Sequence, residues 1–186
     1  PRRDDPSDPA DGLAIIDPGP LISDDPATAP LYPAGLPPEL ASFSQTADVV
    51  LPGTGVIGPE ELSEVLRSRR WRRLLYVGHV RPGAPGQPGN TALVLSDGVE
   101  PELLRAYDWL ARPERWPVPT RVALIGCASG DARTVEDVGL PLAALRAGAE
   151  LVTATRWNLP ADRTEDERSL TELVRAVHAA HRTEDP

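Results

Sequence analysis

Hydrophobic residues fall in short blocks along the chain, and segments rich in Gly and Pro separate the blocks. A block of four to six apolar residues bounded by turn-forming residues is typical of a buried strand. Six blocks have this pattern and predict strands at residues 13–16, 47–51, 74–77, 91–95, 121–126 and 151–155. The first strand runs into Asp17-Pro18-Gly19-Pro20, a sequence that predicts a turn.

Longer segments between these blocks have the spacing of amphipathic helices. One helix is predicted to begin at Pro59, with two acidic residues in its first turn, where they interact favourably with the helix dipole. The remaining helical patterns lie at 101–111, 137–147 and 164–180, with a single helical turn at 39–43. In the helix at 101–111, we expect Leu103, Leu104 and Tyr107 to contact the core.

Alternating strands and helices define the expected fold class. Several of the strands are apolar at nearly every position, which indicates a mainly parallel sheet covered on both faces. The sequence therefore predicts an α/β fold, a three-layer α/β/α sandwich. Residues 1–11 are polar and Pro-rich and predict a disordered N-terminal tail, whereas residues 12–186 have the size expected of a single domain.

Composition and charge narrow the classes of partner and location. A net charge of −9 argues against nucleic-acid binding, which needs a basic surface. No apolar run approaches the roughly 20 residues that cross a bilayer, and the N-terminal residues do not resemble a signal peptide. We therefore expect a cytoplasmic protein with neither nucleic acid nor membrane as a partner. The single cysteine, Cys127, excludes an intramolecular disulfide and a zinc site made of cysteines.

Two residues with catalytic chemistry follow predicted strands. His79 comes shortly after the third predicted strand, and Cys127 directly after the fifth. In an open parallel sheet the active crevice lies beyond the carboxyl ends of the strands, so both residues belong at the same edge. A neighbouring imidazole increases the thiolate fraction of a cysteine and can later protonate a leaving amine. Gly78 and Gly126 precede the two residues and leave room for a substrate carbonyl to meet backbone N–H groups.

Three sequence blocks surround these residues: LLYVGHV at 74–80, VALIGCASGDA at 122–132 and GLPLAALRAGAELVTATRWNLPAD at 139–162. They resemble the CHAT domains, which are caspase-like cysteine peptidases related to the separases. Cys127 lies 48 residues after His79, close to the roughly 50 typical of caspases, although the caspase signature Q-A-C-[RQG]-G is absent. The resemblance implies a caspase-like fold, a protein or peptide substrate and no cofactor or metal. It also implies that His79 is the general base and acid and that Cys127 is the nucleophile.

The oxyanion donors implied by the resemblance are the backbone N–H groups of the cysteine and of the residue after the histidine. That second residue is Val80 here, where the relatives usually have Gly. Two alternatives to an active peptidase therefore stay open. One is an inactive CHAT-like module that binds or scaffolds other proteins, and the other is a flavodoxin-like ligand-binding domain with an incidental His and Cys. An activating partner protein is compatible with the peptidase.

The resemblance also implies which residues select the substrate. In separase-like enzymes an acidic residue near the tryptophan block recognises a basic P1 side chain, and Asp162, after Trp157, is the nearest match. The resemblance thus implies that Asp162 and Trp157 bind the substrate. Asp131 and Asp97 are alternatives for the same role, and Asp162 has the alternative of capping the last helix. A pocket for an acidic P1 residue would instead need a base such as Arg156.

Two further histidines, His178 and His181, lie three residues apart on the last predicted helix and share one face. Such a pair could hold a metal ion, but no third ligand is recognisable. The C-terminal end of a helix favours the protonated imidazole. We therefore expect the two histidines to have a structural role.

Overall fold

Strands and helices alternate along most of the chain. The computed structural model describes residues 12–17, 30–41, 43, 48–50, 57–84, 87, 89–97, 101–126, 139–156, 159–162, 164 and 166–183. Within these residues the elements are β1 (Gly12–Ile16), α1 (Pro38–Ala41), β2 (Asp48–Val50), α2 (Pro59–Ser68), β3 (Arg73–Val77), β4 (Val80–Arg81), β5 (Ala92–Asp97), β6 (Pro101–Arg105), α3 (Ala106–Ala111), β7 (Arg121–Ile125), α4 (Leu140–Arg146), β8 (Leu151–Ala154) and α5 (Ser169–Arg182).

Five of the strands form a parallel sheet in the order β2-β1-β3-β7-β8. Strands β1 and β3 are buried at every position, as their nearly continuous apolar sequences predict. Because the chain passes from β1 to β2 on one side and returns to β3 on the other, the order of the strands reverses between β1 and β3. Ligands of open α/β sheets bind at such a switch point, beyond the carboxyl ends of the strands.

Helices cover both faces of this sheet. On one face, α2, α3 and α4 contribute Leu66, Trp109 and Ala143 to a buried cluster. On the other face, α1 and α5 contribute Leu40 and Val174 to a second cluster. The three-layer α/β/α sandwich predicted from the sequence is therefore confirmed.

The three remaining strands form a separate antiparallel sheet in the order β4-β5-β6. Only Gly78 and His79 lie between the end of β3 and the start of β4, so the small sheet begins directly at the edge of the large one. Leu93 of β5 is paired with Leu104 of β6, and both side chains belong to the cluster that also contains residues of α2, α3 and α4. The two sheets consequently share one core.

This small sheet confirms one prediction and corrects another. The strand predicted at 91–95 exists as β5, in the antiparallel sheet. The helix predicted at 101–111 is wrong over its first five residues, because pairing with β5 draws them into β6 despite their helix-forming side chains. Only Ala106–Ala111 is helical, and Tyr107, an expected core residue, is 60% exposed. Ala106 and Trp109 are the buried residues of this helix instead.

Two helices begin later in the chain than the sequence predicts. Helix α5 begins at Ser169 rather than at residue 164, and α4 begins at Leu140, with residues 137–138 outside the described part. Gly148, with φ of 116°, follows α4 in the left-handed conformation that ends many helices.

The tail predicted at 1–11 lies outside the described residues and stays a prediction. Among the described helices, none has the length and apolar character needed to cross a membrane.

Candidate active site

The carboxyl ends of β3 and β7 lie side by side at one edge of the parallel sheet. All residue pairs between the two strands are offset by 48 positions, and β3 and β7 end together. The pairing continues past the strands, because Gly78 N–H donates to the Ile125 carbonyl at 3.0 Å. Two positions beyond the last pair, the chain from β3 reaches His79 and the chain from β7 reaches Cys127.

Glycines at positions 78 and 126 allow the two strand ends to approach closely. A Cβ on Gly126 would lie 2.6 Å from the Gly78 carbonyl oxygen and 2.8 Å from Val80 Cγ2. A Cβ on Gly78 would lie 2.5 Å from the hydroxyl of Tyr76. Contacts this short essentially do not occur for real Cβ atoms, so neither position accepts a side chain without a shift of the backbone or of Tyr76.

His79 is buried, with 8% of its surface exposed, and its backbone is anchored by both sheets. Its carbonyl accepts a hydrogen bond from Val94 N–H at 3.0 Å and lies 2.6 Å from the Tyr76 hydroxyl. The Tyr76 hydroxyl also lies 2.8 Å from the Val94 carbonyl. Burial raises the pKa of Tyr76, so its hydroxyl stays a protonated donor. One side chain of the large sheet thus connects His79 to the small one.

The backbone N–H of Val80 is directed away from the antiparallel partner strand. Val80 is paired with Leu93, and the hydrogen bond from Val94 to His79 flanks this pair. A pair flanked in this way is a non-hydrogen-bonded pair, whose own N–H groups point to the outside of the two-stranded ladder. An amide with this orientation is suited to bind an oxyanion, so a valine at this position is compatible with the role that the resemblance implies.

Thr155, directly after β8, fixes the end of β7 from its other side. The Thr155 hydroxyl accepts a hydrogen bond from Gly126 N–H at 3.1 Å and also donates to the Gly126 carbonyl. The residue that precedes Cys127 is therefore held by a side chain as well as by the sheet. Sequence reasoning missed Thr155, for which the only signal is a polar residue at a strand end.

Three of the predicted site residues cannot be placed. Cys127, Asp131 and Trp157 lie outside the described residues, as does the side chain of Asp97. The nucleophilic role of Cys127 and the substrate-binding roles of Asp131 and Trp157 stay predictions. The described residues that come together at the sheet edge belong to the end of β7 and to residues 78–79 between β3 and β4, the histidine loop.

Asp162 lies at the start of α5 and is 4% exposed. Its Oδ1 accepts a hydrogen bond from Leu170 N–H at 3.0 Å, and its Oδ2 accepts bonds from the N–H and the hydroxyl of Thr171 at 2.8 and 2.6 Å. These are the contacts of a helix cap, the alternative that the sequence left open for this residue. Recognition of a P1 side chain by Asp162 stays a prediction.

Asp17, at the carboxyl end of β1, is a residue of this edge that sequence reasoning missed. Its N–H donates to the Val77 carbonyl at 2.6 Å, which brings it beside the last residue of β3. The sequence identified Asp17 only as a turn residue, because Pro and Gly follow it. The available signal was its position at the end of a buried strand, which parallel topology brings to the edge where His79 lies.

The two histidines of α5 lie in a different environment from the one predicted for a helix end. Burial, aided by Arg182, Arg73 and His181, lowers the pKa of His178 to about 4. Burial and Arg121 also lower the pKa of His181, whose Nε2 lies 2.9 Å from the Thr153 hydroxyl. Burial therefore outweighs the helix dipole, which favours the protonated form, and the structural role expected for the two histidines stays a prediction. Within the described residues, no group of three or more His, Cys, Asp or Glu side chains could hold a metal ion.

The parallel sheet with helices on both faces is consistent with a caspase-like fold. The sequence profile of the CHAT domain matches residues 33–175. The chain therefore belongs to the CHAT domain family, as the sequence blocks around His79 and Cys127 predict. No curated protein and no solved structure matches the chain in sequence or structure comparison.

Proposed function

We propose that this protein is a cysteine endopeptidase that cleaves a protein or peptide substrate through Cys127 and His79. Membership in the CHAT domain family gives the class, a caspase-like peptidase family. The finer assignment rests on the chemistry of the residues at the ends of β3 and β7.

The observation that carries the proposal is the register between β3 and β7. Every pair of the two strands is offset by 48 positions, and His79 and Cys127 are separated by the same number. Val77 and Ile125, each two positions before one of these residues, form the last pair of the two strands, and both belong to the cluster beneath α5. The equal spacing on two paired strands supports a reaction in which an imidazole and a thiol exchange a proton.

The reaction follows from these groups. The His79 imidazole accepts the thiol proton, and the Cys127 sulfur bonds to the carbonyl carbon of the scissile peptide. The Val80 N–H, which is directed away from β5, donates to the oxyanion that develops. The C–N bond then breaks, and the imidazolium gives its proton to the leaving amine. Water, deprotonated by the same imidazole, hydrolyses the thioester and restores the thiol.

A binding or scaffolding module is the second candidate function, and Val80 is the observation that favours it. The side chain of Val80 would contact any Cβ at position 126, so this end of the site is more crowded than a glycine would leave it. Such a module would keep the fold and the strand register without an activated thiol.

Acyloxymethyl ketone probes with Arg or Asp at P1 separate the two functions. Both P1 types are needed because Asp162, the residue expected to select Arg, is engaged by α5. Cys127 is the single cysteine, so intact mass reports its modification alone. We expect one probe to label the protein about 100-fold faster than it labels glutathione, because the imidazole activates the thiol. His79→Ala should abolish this enhancement.

Cleavage of a peptide library completes the test. The wild-type protein should cleave a subset of peptides, and Cys127→Ala should cleave none while its circular dichroism spectrum is unchanged. Labelling no faster than that of glutathione, together with no cleavage, would support the binding module. Undiminished cleavage by Cys127→Ala would show that another residue is the nucleophile.

A further inference from the structure

The carboxylate of Asp17 is a buried acidic group at the carboxyl edge of the sheet that the proposed reaction does not use. Asp17 is 3% exposed, and its Oδ2 accepts hydrogen bonds from Leu31 N–H at 2.9 Å and from Tyr32 N–H at 3.4 Å. Its Oδ1 is also buried and has no hydrogen-bond partner among the described residues. A buried carboxylate oxygen without a partner is costly, which points to a role other than stability.

The backbone of Asp17 is also unusual. Its φ of 47° is in the left-handed region, which Asp adopts more readily than most residues but which still costs energy. Its N–H bond to Val77 holds this conformation against the end of β3. The residue directly after β1 thus has a left-handed backbone beside the end of β3, the strand that leads to His79.

The strand order of the parallel sheet places Asp17 next to the strand that leads to His79. Asp17 follows β1 and His79 follows β3, and the strand order reverses between these two neighbouring strands. The two residues therefore lie on opposite sides of the switch point, where the crevice of an open α/β sheet forms. His79 thus lies between a carboxylate on the side of β1 and the strand that leads to Cys127 on the side of β7.

Electrostatics agree with this placement. Burial raises the pKa of Asp17, and the charge of His79 opposes that shift, so the two groups lie within electrostatic range of each other. The other titratable groups that respond to Asp17 are Tyr32 and Tyr76, and Asp162 also acts on Tyr32. Burial raises the pKa of both tyrosines, so they are neutral, and His79 is the group among these that can carry the opposite charge.

We propose, on the basis of the proposed function, that Asp17 is a positioning residue for His79. The buried carboxylate stabilises the imidazolium that forms when His79 takes the proton of Cys127, and it orients the ring toward the cysteine. It acts through the histidine and does not touch the substrate. The Asp-His-Cys series extends the pair predicted from the sequence to three neighbouring strands.

The pH dependence of Cys127 alkylation tests this proposal without a known substrate. Iodoacetamide modification of the single cysteine is followed by intact mass from pH 4.5 to pH 10. In the wild type we expect the midpoint of the rate profile to lie well below the roughly 8.5 of a free thiol. Asp17→Asn keeps an oxygen for the two N–H groups and tolerates a positive φ, but it removes the charge. The midpoint should rise by about one pH unit, with an about tenfold lower rate below both midpoints.

Two controls separate the effect of the lost charge on alkylation from the effect of a disturbed structure. Ile16→Val shortens the neighbouring buried side chain of β1 without changing charge, and its alkylation midpoint should equal that of the wild type. Asp17→Asn should melt no lower than the wild type at pH 7, because the charge it removes is disfavoured by burial. If Asp17→Asn does not fold, Asp17→Ser removes the same charge with a smaller acceptor.

The outcomes distinguish this proposal from the one on which it rests. An activated wild-type thiol with an unchanged midpoint in folded Asp17→Asn would overturn the role of Asp17 and leave the peptidase intact. A wild-type midpoint near 8.5 that His79→Ala does not alter would contradict the peptidase, and the role of Asp17 with it.

Discussion

Gly126 shows how a single missing side chain sets the geometry of the site. A Cβ at this position would meet the backbone carbonyl of Gly78 at 2.6 Å, and a backbone group cannot rotate away. We expect Gly126→Ala to push the ends of β3 and β7 apart, to lower the free energy of unfolding by about 1–3 kcal/mol and to slow the alkylation of Cys127. Urea unfolding and the iodoacetamide rate measure the two effects.

Gly139→Ala is the matched control for this substitution. Among the described residues, a Cβ on Gly139 would approach only Pro141, at an ordinary 3.6 Å, and the backbone there has a φ of −75°, which alanine adopts easily. Its stability and its alkylation rate should stay close to those of the wild type. Equal behaviour of the two variants would show that the close approach at Gly126 has no functional consequence.

The sequence identifies those site residues whose position depends on the local pattern of apolar and polar residues. His79 and Gly126 are recognisable because each follows an apolar strand block. Asp17 is not, because its role depends on a neighbour more than 60 residues away and on a positive φ that no local pattern indicates. The neutral state of His178 likewise cannot be predicted from the sequence, since it depends on burial of α5 against other elements and on Arg73 of β3.

Among the elements, the strands of the parallel sheet were the most predictable and β6 the least. Continuous apolar blocks identify β1, β3 and β7 because burial on both faces requires such sequences. The sequence PELLR of β6 consists largely of helix formers, and only its pairing with β5 makes it a strand. A local pattern also cannot specify which sheet a strand joins, so the antiparallel sheet that contains β5 is not predicted from the sequence.

Helix α5 depends on an acidic side chain that lies seven residues before its first turn. Asp162 accepts three hydrogen bonds from Leu170 and Thr171, and no side chain at the N-cap position replaces them. Asp162→Ala should therefore lower the free energy of unfolding by about 2–3 kcal/mol, because it leaves buried N–H groups without an acceptor. Asp166→Ala, at an exposed position in the same loop, should be nearly neutral in urea unfolding. Equal stability of the two variants would contradict the capping role.

For the whole molecule, the decisive feature is that two sheets meet at the candidate active site. The parallel sheet supplies the strand ends, and the antiparallel sheet receives the chain immediately after His79. The histidine is thus held between two sheets rather than on a free loop. A site built on rigid elements positions its reactive groups more accurately than one built on loops.

Tyr76 joins the two sheets at this point, and its hydroxyl provides the last test. The hydroxyl lies within hydrogen-bond distance of the carbonyls of His79 and Val94, one on each side of the junction. Tyr76→Phe leaves the ring in the core but removes the one hydroxyl proton that these two carbonyls can accept. We expect a loss of about 1–3 kcal/mol in the free energy of unfolding. We also expect slower alkylation of Cys127, because the histidine loop is less firmly held.

Tyr107→Phe removes a hydroxyl from a tyrosine that is largely exposed, and it should change neither property. If Tyr76→Phe lost stability but kept the wild-type alkylation profile, the hydroxyl would stabilise the junction without influencing the histidine. If both properties fell together, the position of His79 would depend on the contact between the sheets. The antiparallel strands would then be part of the catalytic apparatus, although none of their own side chains carries the chemistry.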